Sequence, residues 1–142
     1  MKRSLIVVAS LMFGAGAVLA QADAIAQRQA LMKANGKATG PVVAILKGGA
    51  FDLAVVQGAL KTYINAANKM PGLFPDDSKT GDTGALPAVW ANKSDVDARF
   101  AKFGADATAA LSSITDEASF KANMPKVLSN CGGCHETYRA KK

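Results

Sequence analysis

Apolar side chains recur at intervals of three and four through most of this chain, and no segment sustains an alternation of period two. Between 23 and 47, Ile25, Leu31, Met32, Val42, Val43, Ile45 and Leu46 stand among Ala and Lys and predict a first helix. Gly36, Gly40 and Pro41 interrupt it. Proline inside a helix costs roughly 3 kcal/mol or more, so a kink or break is expected near Thr39-Gly40, with Gly48-Gly49 as the end. Asp52 is a candidate N-cap for a second helix, with Phe51 before it as half of a hydrophobic staple. Leu53, Val56, Leu60, Tyr63, Ile64 and Ala67 carry that helix to about Lys69.

Residues 70–88 differ in kind. Pro71, Gly72, Pro75, Gly81, Gly84 and Pro87 punctuate them, which reads as one long loop, pinned by Leu73, Phe74, Leu86 and Trp90. A loop of this length in a small domain is usually functional or closes over something. Ser94 with Asp97 resembles a weak capping box, and Val96, Phe100, Phe103, Ala107, Leu111 and Ile114 form the stripe of a third helix. Thr115 can cap a fourth, whose inner face is Phe120, Met124, Val127, Leu128, Cys131, Cys134 and Tyr138; Pro125 lies within it. Four amphipathic helices on mostly short connections predict an all-α fold, an antiparallel up-down four-helix bundle.

The chain has 142 residues, enough for one domain. Lys2 and Arg3, the apolar run from Leu5 to Leu19 and the small residues ending at Ala20 read as a secretory signal peptide, residues 1–20, cut after Ala20. A cut after Ala22 also fits. A retained membrane anchor is the alternative, but the run is shorter than the roughly 20 residues a span needs. The remainder, 21–142, is then one exported, periplasmic domain, with no second run long enough to span. The formal net charge is +6, reduced by two when Lys2 and Arg3 leave. A modest positive charge without a long basic run does not suggest nucleic acid, though it suits encounter with an acidic protein.

The chemistry is concentrated at Cys131-Gly132-Gly133-Cys134-His135, which has the C-x-x-C-H form of a covalent c-type haem attachment site. On a helix, Cys131 and Cys134 lie about 300° apart around the axis and His135 about 40° from Cys131, so all three share a face. The thiols become thioethers to the haem vinyl groups and the imidazole an axial iron ligand. A disulfide, a thioredoxin-like dithiol and a zinc site are the other readings of two cysteines. A redox dithiol normally sits where a strand meets a helix, whereas this pair lies late in a helical segment with histidine next to it. Zinc lacks a fourth ligand.

His135 is the only histidine in the chain, so a second axial ligand would have to be something else. Of Met32, Met70 and Met124, the last shares the helix of His135, some 16 Å along its axis, and cannot reach across a haem. Met70 abuts Pro71 at a helix end. Met32 lies on the first helix, a neighbour of the fourth in a bundle, and is either the ligand or a core gap-filler. Arg28, one turn before Met32, and Arg139, one turn after His135, are candidate propionate contacts or solvated surface charges.

These residues resemble the class II cytochromes c, four-helix bundles whose haem motif ends as Cys-His-x-x-Tyr/Phe-Arg. Here that is Cys134-His135-Glu136-Thr137-Tyr138-Arg139. Leu31-Met32-Lys33-Ala34-Asn35-Gly36 and Leu73-Phe74-Pro75-Asp76 resemble the low-spin cytochrome c-556 branch, whose methionine is the sixth ligand. Arg28 is similar to an arginine of cytochrome c′ that pairs with a propionate, and Pro41 departs from both branches. The resemblance implies one covalent haem c with His135 and Met32 on the iron. It also implies a periplasmic electron carrier rather than an enzyme, acting on redox partner proteins as a monomer or homodimer. A five-coordinate cytochrome c′-like binder of nitric oxide or carbon monoxide is the alternative, and a thiol–disulfide oxidoreductase a remote one.

Overall fold

The structure, a computed structural model, describes residues 14–141, with side chains from residue 23 onward. The expected leader, residues 1–20, lies largely outside the described residues. Helix α1 spans Gly14–Leu46, α2 Leu53–Lys69, the single turn α3 Ala88–Ala91, α4 Lys93–Ser113 and α5 Glu117–Tyr138. Among the described residues there is no strand, only an isolated antiparallel bridge between Ala85 and Arg139. No described helix is long and apolar enough to cross a membrane.

Helix α1 runs through Gly36, Gly40 and Pro41 without the expected break. Pro41 removes the N–H that would serve the carbonyl of Lys37. Both residues are exposed, so water can take that carbonyl. The helix ends in a Schellman motif. Gly49 N donates to Ala44 O at 3.0 Å and Gly48 N to Ile45 O at 3.0 Å, while Gly48 holds φ at 100°.

Asp52 caps α2 as expected, its carboxylate accepting from Ala54 N at 2.8 Å and Val55 N at 3.1 Å. Phe51 packs on the Phe120 ring of α5, with centroids 5.7 Å apart. Two expected caps are displaced. Helix α4 begins one residue before Ser94, because α3 feeds straight into it. Asn92 holds the cap position without a capping side-chain bond, its amide donating back to Ala88 O instead. Helix α5 is capped by Asp116 rather than Thr115, in a capping box with Ser119. Ser119 N donates to Asp116 Oδ1 at 2.8 Å and Asp116 N to Ser119 Oγ at 3.1 Å.

Close backbone packing joins α1 to α2, α2 to α4 and α4 to α5, which makes the four-helix bundle. The remaining seam, between α1 and α5, is not among these closely packed pairs. Two buried clusters fill the interior. The first gathers Val42, Leu60, Tyr63, Phe103, Phe120 and Met124 from all four helices. The second is smaller, centred on Met70, Val89, Val96, Phe100 and Tyr138, with Met32, Phe74 and Trp90 packed against it. Residues 70–87 form a strap over that second cluster, shaped by 3-10 turns at Met70–Leu73 and Asp76–Ser78. Trp90 pins the strap, its indole N–H donating to Phe74 O at 3.0 Å and its ring meeting that of Phe74 edge-on at 5.8 Å.

Candidate functional site

The last turns of α5 present Cys131, Cys134 and His135, all half-buried, to the seam between α1 and α5. Two adjoining cavities of about 620 and 510 Å³ occupy that seam. They share Met32, Phe100, Cys134, His135 and Arg139, so they are parts of one cleft. Cofactor sites commonly measure about 300–1,000 Å³. Met32 stands on the α1 wall and His135 on the α5 wall, while Phe100 of α4 belongs to the floor. Cys131 packs at the edge of the first core cluster and Cys134 at the edge of the second.

A charged network holds the motif turn against α4. Arg99 donates from Nε to Asp95 Oδ2 at 2.7 Å and from Nη1 to Gly133 O at 2.9 Å. Its guanidinium lies 5.5 Å from the Tyr138 ring centroid, and the Tyr138 hydroxyl donates to Asp95. The bonds from Tyr138 and Arg99 hold the Asp95 carboxyl below its ordinary range, and the same carboxylate keeps the Tyr138 phenol protonated to higher pH. Arg99 was not a candidate from sequence. Its spacing of four from Asp95 is legible, but its reach to Gly133 is a tertiary contact.

Burial pushes both cysteine thiols up, with Arg99 partly opposing this at Cys134. Reactive redox dithiols show the reverse, a lowered thiol pKa. Burial, and then the charge of Arg139, push His135 down and favour neutral imidazole, the form that binds a metal. The cysteines are not joined in a disulfide. Among the described residues no group of three or more His, Cys, Asp or Glu is placed to hold a metal ion.

A helical bundle whose open seam holds two thiols, an imidazole and a thioether is matched by known proteins. The profile of the family described as cytochrome c′ matches residues 23–139. A cytochrome c′ of Rhodopseudomonas palustris is 54% identical over 131 residues, covering 91% of this chain and 90% of its own length. The chain belongs to the cytochrome c′ family. A cytochrome c-556 of Agrobacterium fabrum is 41% identical over 141 residues, covering 96% of this chain and 95% of its own. The solved structure of cytochrome c′ from Rhodopseudomonas palustris superposes with a TM-score of 0.82 at 54% identity, covering 84% of this chain and 98% of that one. The protein is therefore a haem c cytochrome with one covalent haem, not an enzyme.

The cleft fits that group in volume, in its apolar floor and in its donor set. It also contains a buried polar atom with no protein partner, Asn35 Oδ1, on the α1 wall three residues beyond Met32. Next to it, Thr39 Oγ1 donates to Asn35 O at 2.8 Å and lies 2.7 Å from the Tyr63 hydroxyl.

The other candidates fall in different places. Met124 is fully buried in the first cluster and lines neither cavity. Met70, set aside on sequence, is buried yet lines the larger cavity, brought there by the turn that opens the strap. Arg139 is exposed and lines both cavities. Arg28 lines the larger cavity but is only 5% exposed, and burial lowers its pKa. Its Nη1 donates to Leu73 O and to Ser78 Oγ (2.7 Å), its Nη2 to Ser78 O (3.2 Å) and to Thr83 Oγ1 (3.2 Å). Its guanidinium lies 4.8 Å from the Phe74 ring centroid and 5.7 Å from that of Trp90.

Proposed function

We propose that this cytochrome is a periplasmic one-electron carrier, with Cys131 and Cys134 as thioether anchors and His135 and Met32 as axial ligands. The observation that carries the reading is that Met32 and His135 line both cavities from opposite walls. When bound, haem c supplies a one-electron Fe(III)/Fe(II) couple. Cys131 and Cys134 would hold it through thioether bonds, while α5 would offer neutral imidazole and α1 thioether sulfur. Methionine is a soft ligand without charge, which raises the reduction potential relative to harder ligands. Phe100, Val96 and Val89 give the larger cavity an apolar wall, and low polarity there favours the less charged iron state further. Arg139 at the cleft adds positive charge toward an acidic redox partner.

A second reading is favoured by the 54% identical relative being named a cytochrome c′ while the c-556 relative stands at 41%. It is a binder of nitric oxide or carbon monoxide, with Met32 merely lining the sixth position. Absorption spectra of the holoprotein separate the two. Methionine ligation gives a low-spin ferric spectrum with a weak far-red thioether–iron band. Met32→Ala then turns the protein high-spin, and Met70→Ala does not. A high-spin wild type that takes up carbon monoxide rapidly refutes the carrier reading, and loss of the band in Met70→Ala alone reassigns the ligand.

A further inference from the structure

Residues 70–87 cross the seam between α1 and α5, which among the described helices is packed less closely than the α1–α2, α2–α4 and α4–α5 seams. On the α5 side the strap is tied by main chain, Leu86 N to Tyr138 O at 3.0 Å and Ala140 N to Gly84 O at 2.9 Å. On the α1 side it is tied by side chains of two consecutive residues. Gln29 Nε2 donates to Asp82 O at 2.8 Å, and Arg28 makes the four bonds described above. Between these ties, Phe74, Asp82, Thr83, Gly84 and Ala85 form a wall of the larger cavity. Both hydrogens on each terminal nitrogen of Arg28 are thus directed to the strap, and its planar face rests on Phe74 and Trp90.

We infer that Arg28 is a positioning residue that fixes the strap across the α1–α5 seam and so governs how readily a small diatomic molecule enters the haem cleft. This is a different role from a propionate partner, because only Nε–H is outside those four bonds. Ser78 is fully buried, so an Arg28 side chain withdrawn from it deprives buried oxygens of their charged donor, with Ser78 Oγ keeping only its own bond to Pro75 O at 2.8 Å. Lysine could not substitute, since an ammonium has no planar fork to serve four acceptors and two rings. Where Met32 binds the iron its departure would limit association, so the variants below are then made in a Met32→Ala background. Wild-type spectra test that point separately.

The experiment follows carbon monoxide association with ferrous holoprotein by stopped flow, alongside limited trypsin cleavage after Lys79, an exposed residue of the strap. Two variants approach the clasp from opposite sides: Arg28→Gln, and the double variant Ser78→Ala/Thr83→Val, which leaves Arg28 in place but removes two of its acceptors. Loss of bonds to a charged donor is expected to raise the open fraction, and association with it, by about tenfold or more in each, with faster cleavage after Lys79. Faster association in Arg28→Gln but not in the strap variant means that Arg28 acts directly on the haem, and overturns the inference. So does faster cleavage in both with no change in association, since the strap then does not gate. No change in either measurement overturns it as well. If Arg28→Gln does not accumulate as holoprotein, the strap variant decides by the same outcomes.

Discussion

Tyr63 is fully buried, and its hydroxyl has a single side-chain neighbour, Thr39 Oγ1 at 2.7 Å. A hydroxyl carries one hydrogen, and that of Thr39 is committed to Asn35 O, so Tyr63 must be the donor of the pair. The raised pKa of Tyr63, caused chiefly by burial, keeps that donor protonated. Removing the two partners therefore costs different amounts. Thr39→Val strands a buried O–H and should destabilise by about 1–3 kcal/mol. Tyr63→Phe deletes the donor and leaves Thr39 still bonded to the α1 backbone, at a cost of about 1 kcal/mol. The double variant replaces both by apolar groups and should cost less than Thr39→Val alone, a coupling of about 1 kcal/mol. Urea unfolding of the holoprotein reads this directly. With a slope of about 1–3 kcal/mol per molar, Thr39→Val moves the midpoint down by roughly 1 M at unchanged slope. Strictly additive costs, or a larger loss in Tyr63→Phe than in Thr39→Val, would refute the donor assignment.

Gly48→Ala should destabilise by about 1–2 kcal/mol in the same assay, because Gly48 holds a positive φ while an added Cβ there meets no atom within 4 Å. The loss is then one of backbone conformation alone, and a neutral result would contradict it. Asp106 accepts from Lys102 and Asn130 and pairs with Lys126 at 3.0 Å, and the Lys102 bond above all holds its carboxyl well below the usual range. A depressed folded-state pKa contributes stability above the unfolded value, and that contribution is lost as pH falls below about 4. Asp106→Asn should therefore flatten the acid limb of a melting-temperature profile; an acid slope equal to wild type is the contrary result.

The helices were legible because burial decides them. Val96, Phe100, Phe103, Ala107 and Ile114 are buried along one face of α4 and its end, as their spacing requires. The motif on α5 and the Asp52 cap were legible because each is local chemistry within a few residues. What escaped the sequence depends on long-range placement. Pro41 is tolerated because its turn of α1 faces water, which no local pattern announces. The start of α4 depends on α3 arriving directly before it, so Ser94 falls inside the helix and its capping potential goes unused. Met70 looked unsuited to the site from its position at a helix end, yet the strap turns there and points it at the cleft. Arg28 was visible as a charge beside Met32, but its acceptors come from residues 45 to 55 positions later.

The two cysteines, three residues apart, stand on different foundations. Cys131 borders the cluster that closes one end of the bundle, and Cys134 borders the smaller cluster beneath the strap. A haem bonded to both sulfurs would span the boundary between the larger core and the cluster that the strap covers. It would meet the larger core through one sulfur and the strapped cluster through the other, so a change in either core would reach it by a separate bond.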